Sequence, residues 1–219
     1  MGDIGGLRAV LFDMDGLLID SERLWLEVET ETMAWLGGAW GPEQQKLLVG
    51  SSLDRASAYM VELTGADVPA AEVGRRMVDG MVERLSSCVP MMPGAKDLLV
   101  QVRDAGLPAA LVSSSHRVLV DPVLDAVGRE FFALSVAGDE VSRTKPDPEP
   151  YLTAVARLGA VPGRCVVLED SPTGVRAAEA AGCAVVAVPC LLPVQPGPGR
   201  TVVESLREVD LALLRSLVA

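Results

Sequence analysis

Four short stretches of the chain carry the residue types that could do chemistry. Val10-Leu11-Phe12-Asp13-Met14-Asp15-Gly16 is an apolar run that releases two carboxylates, Asp13 and Asp15, and then a glycine that can bend the backbone so that both serve one site. Ala110-Leu111-Val112-Ser113-Ser114-Ser115 is a second apolar run, and its hydroxyls and backbone amides open a helix and can hold phosphate oxygens. Lys145 is an ammonium in a stiff, Pro-flanked loop, Thr144-Lys145-Pro146-Asp147-Pro148. The last is Val166-Val167-Leu168-Glu169-Asp170-Ser171, an apolar run that ends in adjacent acids. Each has an ordinary explanation by itself: a helix cap, a loop, a solvated lysine. Together they describe carboxylates that would repel one another unless a hard cation neutralised them. An all-oxygen set of that kind suits Mg²⁺. With the lysine, the serines and a helix N-terminus, it makes a site for a tetrahedral dianion.

The elements that must position these residues read as short β-branched runs alternating with helices, the pattern of a parallel sheet covered on both faces. Strands are expected at Ala9–Phe12, Ala109–Val112, Leu134–Val136, Val166–Leu168 and Ala184–Val188. Helices are expected at Gly94–Ala105, His116–Val127, Glu149–Leu158 and Pro172–Ala181, each stopped by the glycine that follows. Every chemical stretch then starts where a strand ends, and in open α/β sheets ligands bind outside the carboxyl ends of the strands. From Leu18 to Ser87 the rhythm breaks and only helices are expected: one capped by Ser21 and ending at Gly37–Gly38, then Leu53–Leu63 and Glu72–Leu85. The fold class is therefore α/β, a Rossmann-like parallel sheet with a small all-helical cap domain inserted after the first strand. Residues 1–17 and 88–219 form the core and 18–87 the cap; a helical decoration of the sheet is the alternative. Pro189 to Gly199 reads as a surface loop before a last helix near Leu206–Leu217.

The 219 residues are 49% apolar, enough for a sizeable core. Nineteen basic against thirty acidic side chains give a net charge of −11 without a run of Lys or Arg, so no nucleic-acid partner is expected. No signal peptide or membrane span is read, the compartment expected is the cytoplasm, and the four cysteines are expected to be reduced and mostly buried.

Asp13-Met14-Asp15-Gly16 after a strand, the Val112-Ser113 step, Lys145-Pro146, and Glu169-Asp170-Ser171-Pro172-Thr173-Gly174, in this order, resemble the haloacid dehalogenase superfamily of phosphotransferases. Asp13 to Glu22, with Leu24-Trp25 beyond, is similar to the branch holding β-phosphoglucomutase and the hexitol-phosphate phosphatases, which carry a helical cap after the first strand. The resemblance implies a Mg²⁺-dependent phosphatase of a small metabolite, a sugar or polyol phosphate, working through an aspartyl phosphate. Asp13 would be the nucleophile and Asp15 the general acid and base, with Ser113 and Lys145 completing the phosphate cradle. Mg²⁺ would be held by Asp13, Asp170 and the backbone carbonyl of Asp15, with Glu169 binding directly or through water. Gly16, Ser114, Ser115, His116 and Trp25 are candidate substrate contacts. For Trp25 the choice is between stacking on a sugar and packing, and for His116 between a phosphate contact and solvent. The chain is expected to act as a monomer or weak homodimer.

Asp15 argues against carbon–halogen and carbon–phosphorus cleavage, because members with those activities lack a second aspartate there. A phosphosugar mutase is the alternative reading, and a non-catalytic binding protein of the same fold is a more distant one. In the related mutases an arginine from the cap grips a second phosphate. Aligning Val49-Gly50-Ser51-Ser52 on the corresponding turn puts Leu53 at that place and Arg55 two positions late. Trp25 stands where those mutases tend to have histidine.

Overall fold

The computed structural model describes residues 6–48, 51–87 and 89–218. A strand, β1 (Ala9–Phe12), opens the chain and is followed by four consecutive helices: α1 (Glu22–Trp35), α2 (Pro42–Leu48), α3 (Leu53–Thr64) and α4 (Ala70–Ser87). Then strands and helices alternate: α5 (Ala95–Asp104), β2 (Ala109–Val112), α6 (Arg117–Val127), β3 (Leu134–Val136), α7 (Glu149–Arg157), β4 (Cys165–Glu169), α8 (Pro172–Ala180), β5 (Ala184–Ala187), β6 (Arg200–Val202) and α9 (Leu211–Ser216). The sheet runs β3-β2-β1-β4-β5-β6 and every pairing is parallel.

The central strands β1, β2 and β4 are buried on both faces, which is why they read as unbroken apolar runs. Val10, Phe12, Leu111, Val166 and Leu168 point to one side, with Leu98, Leu99, Val120 and Leu124 of α5 and α6. Leu11, Ala110, Val112 and Val167 point to the other, with Tyr151, Ala154, Val175 and Ala178 of α7 and α8. Successive side chains of a strand alternate in direction, so one sheet serves two cores. The four helices after β1 form the expected cap, with α4 packed on α1 and α3 and touching α6. Val28, Met33, Met60, Met77 and Met81 fill its interior.

Four local expectations are corrected. A helix at Pro42–Leu48 and a strand at Arg200–Val202 were not foreseen: the first is a short helix of seven residues, the second three half-buried residues on the sheet edge. The last helix is broken into a 3₁₀ turn, Leu206–Glu208, and α9, because Asp210 starts a new helix by accepting from Leu213 N. Ser21 precedes α1 but does not cap it, since its hydroxyl donates elsewhere. Among the described residues no helix is long and apolar enough to cross a membrane.

Candidate active site

β1 lies between β2 and β4; the chain adds β2 and β3 on one side of it and then β4, β5 and β6 on the other, so a crevice opens at the carboxyl ends of β1, β2 and β4. The register aligns Phe12 with Leu168, so Asp13 and Glu169 emerge side by side. Asp13 N donates to Leu168 O at 3.1 Å, holding the nucleophile candidate on the sheet. Ser113 is anchored likewise by its N–H to Val136 O.

Lys145 reaches this point from the loop before α7. Its ammonium donates to Asp13 Oδ1 at 2.5 Å, Glu169 Oε1 at 2.6 Å and Val112 O at 3.0 Å. Burial alone would pull the lysine pKa down, but Asp13 and Glu169 outweigh it and the net shift is upward, so the ammonium stays charged. Glu169 is fully buried, and both its oxygens are engaged. Oε1 accepts from Lys145 and from Tyr151 Oη at 2.6 Å, and Oε2 accepts from Asp170 N, Ser171 N and Ser171 Oγ. The first turn of α8 presses on this carboxylate: a Cβ at Gly174 would fall 1.8 Å from Oε1, which only glycine avoids.

Asp13, Glu169 and Asp170 each offer a carboxylate oxygen, and these atoms all lie within 4.8 Å of one another. Burial, and then the mutual repulsion of these groups, raises the pKa values of Asp13 and Asp170 well above the usual carboxylate range. Gly16 lets Asp170 come so close. At φ +76° a side chain is strained, and its Cβ would lie 2.5 Å from Asp170 Oδ2. Three buried hard-oxygen donors facing one ammonium fit a divalent cation.

Asp15 points away from this cluster, toward the seam between core and cap. Its carboxylate accepts from Ser113 Oγ at 3.2 Å and Ser115 Oγ at 2.8 Å on the core side, and from Ser21 Oγ at 2.7 Å and Trp25 Nε1 at 3.4 Å on the cap side. Ser21 is thus recruited to the candidate acid–base group, which is why it is not a helix cap. Ser113 Oγ also accepts from Ser115 N. Ser114, Ser115, His116 and Trp25 line one cavity with Asp13, Asp15, Lys145 and Asp170. His116 sits immediately before α6 and lines the cavity. Leu53 lines the same cavity; Val49 and Gly50, which frame that position in the sequence argument, lie outside the described residues, as does Cys88.

Residues 7–182 match the family of haloacid dehalogenase-like hydrolases. The chain belongs to that family. It is 32% identical over 219 residues to hexitol phosphatase B of Escherichia coli K12, spanning 97% of this chain and 95% of that one. Over 194 residues it is 31% identical to protein CbbY of Rhodobacter capsulatus, covering 84% and 86% of the two. Among solved structures, that of CbbY from Rhodobacter sphaeroides in complex with phosphate superposes with a TM-score of 0.86 at 30% identity, covering 95% of this chain and 99% of that one. The hydrolase is a phosphoric monoester hydrolase of the β-phosphoglucomutase-like branch.

Sequence reasoning missed Tyr151, Glu22, Glu29 and Gln45. Tyr151 hid among the apolar residues of α7. Glu22, Trp25 and Glu29 follow one another at helical spacing, and a carboxylate between Val28 and Met33 on a buried face was the available signal. Burial, then the proximity of Asp15, Glu29 and Asp20, pushes Glu22 up to about 8. Burial pushes Glu29 up to about 7, against the opposing bond from Trp40.

Proposed function

We propose that this hydrolase is a Mg²⁺-dependent phosphatase of a small phosphomonoester, a sugar or polyol phosphate, acting through an aspartyl phosphate on Asp13. Residues 1–17 and 88–219 would be its catalytic core, and 18–87 a cap that closes over the substrate. The observation that carries this reading is the convergence of Asp13, Lys145, Asp170 and Glu169 at the ends of β1 and β4, with Asp15 and the serines beside them.

Asp13 attacks phosphorus with one carboxylate oxygen, and the ester oxygen leaves on the opposite face, taking its proton from Asp15. A water then attacks the phosphorus of the acyl phosphate, Asp15 takes a proton from it, and phosphate departs with Asp13 restored. Splitting the hydrolysis in two replaces one slow displacement by two faster ones. Lys145 and the Ser113 and Ser114 region cradle the phosphoryl oxygens, and Lys145 supplies fixed positive charge where negative charge moves. Asp13, Asp170 and the Asp15 carbonyl would hold Mg²⁺. Glu169, its oxygens committed to other donors, would reach the cation through water. When bound, the cation offsets the repulsion between the carboxylate nucleophile and an anionic phosphate. Trp25 and His116 bound the substrate, the first from the cap and the second from the core.

Leu53 at the cavity wall offers no charge for a second phosphate, which weighs against the mutase reading. Hydrolysis of p-nitrophenyl phosphate tests the proposal: the rate should require Mg²⁺ and vanish in excess chelator. Full activity in chelator would remove the metal role.

A further inference from the structure

Tyr151 is a fully buried phenol in the first turn of α7 that the proposed mechanism does not use. It meets the reacting centre in two ways. Its hydroxyl donates to Glu169 Oε1 at 2.6 Å, the same oxygen that accepts from Lys145 Nζ at 2.6 Å. Its ring lies against the ammonium, with Lys145 Nζ 4.9 Å from the ring centroid. An ammonium has three N–H groups, and the bonds to Asp13 Oδ1, Glu169 Oε1 and Val112 O occupy them. A new bond to a phosphoryl oxygen therefore requires that one of these acceptors be released.

In the proposed reaction Asp13 is the acceptor that loses negative charge, because its attacking oxygen becomes part of the acyl phosphate. The ammonium has then to pass from Asp13 toward the phosphoryl oxygens. Glu169 competes for it with a full carboxylate charge at close range. The phenol hydrogen sets positive partial charge against Oε1 and so weakens the pull of that oxygen on the lysine. We propose that Tyr151 is a positioning residue for Lys145: by sharing Glu169 Oε1 it keeps the ammonium from being captured by Glu169 and lets it follow the charge from Asp13 to the phosphoryl group. This rests on the phosphatase reading and deepens it. The effect belongs to the transition state, where the charge moves, so it belongs in kcat and not in KM.

Tyr151→Phe tests the proposal, because it keeps the ring over the ammonium and removes the hydroxyl alone. With p-nitrophenyl phosphate at saturating Mg²⁺, kcat should fall by about tenfold, the effect of one hydrogen bond to a charged group, while KM stays within about twofold. A double-mutant cycle then separates positioning from mere structural support. Tyr151 acts through Lys145, so adding Tyr151→Phe to Lys145→Met should leave the residual kcat of Lys145→Met within about twofold. A kcat within about twofold of wild type in Tyr151→Phe, a loss carried by KM instead, or a further tenfold fall in the Lys145→Met background would each overturn the proposal and leave the phosphatase reading in place. Failure of the wild-type chain to hydrolyse the ester would contradict the phosphatase reading itself, and this inference with it. Should Tyr151→Phe lose the wild-type circular dichroism spectrum, Tyr151→Met, which also lacks the donor and fills irregular space, carries the same comparison.

Discussion

The two walls of the cavity solve the problem of buried charge in opposite ways. On the core side, Lys145, Asp13, Glu169 and Tyr151 form a closed network in which one ammonium faces two carboxylates, and every oxygen of Glu169 is taken. On the cap side, Glu22 and Glu29 make no ion pair among the described residues, and burial raises their pKa values to about 8 and about 7. A saturated network is rigid and has one geometry, which suits a reaction that depends on positioning and fixed charge. A wall whose buried acids hold their protons carries little fixed charge, so it adds little to the field at the core side. Asp15 lies on the border and takes donors from both sides, so the proposed acid–base group is tied to the placement of the cap through Ser21 and Trp25.

Breaking the core side should cost most. Asp13→Asn removes the attacking oxygen with almost no change in volume, and turnover should fall by at least about 10⁴-fold while the circular dichroism spectrum is kept. Measurable turnover near the wild-type rate would end the nucleophile assignment. Lys145→Met takes away fixed positive charge at the reacting centre, so kcat should drop by roughly 10²–10³-fold, read in steady-state assays at saturating Mg²⁺. A smaller effect belongs to Gly16→Ala. The added methyl is strained at this φ and displaces Asp170, so the Mg²⁺ concentration for half-maximal activity should rise by about 10-fold or more.

The cap side gives the smallest effect, and it shows in stability rather than turnover. Glu29 holds a proton up to about pH 7 in the folded chain, but loses it near its ordinary value of 4.5 once unfolded. Between those values the folded state binds more protons, so stability falls as pH rises. Glu22, at about 8, acts in the same sense. Glu29→Gln removes one of these contributions, and the drop in melting temperature from pH 5 to pH 8 in divalent-free buffer should shrink by about 2–4 °C, equivalent to about 1 kcal/mol. An unchanged drop would mean that Glu29 is ionised in the folded chain at neutral pH.

The same contrast explains what could be read from the sequence. Core residues were legible because they sit at the ends of apolar strands, where strand period and chain order together determine which side chains reach the crevice. Asp13, Ser113, Lys145 and Glu169 therefore met as expected, although Glu169 proved to be held inside the protein by Tyr151 and the first turn of α8. Strands β1 to β4 agreed to within one residue for the same reason, whereas β6 is three residues on an edge, too short to carry a period. The cap residues were not legible. Whether Glu29 faces solvent or the cavity depends on how α1 packs against its neighbours, and Gln45 lies on α2, seven residues with no clear apolar stripe. Ser21 was misread because the N-terminus of a helix is its usual place, and only the approach of Asp15 in space redirects its hydroxyl.

Mass spectrometry of the chain, quenched in acid during turnover of a phosphomonoester with Mg²⁺ present, examines the covalent step directly. The peptide that contains Asp13 should gain the mass of one phosphoryl group and lose it on treatment with hydroxylamine, and Asp13→Asn should give no adduct. Steady turnover with no phosphorylated peptide at any quench time, or an adduct on another residue, would contradict the account.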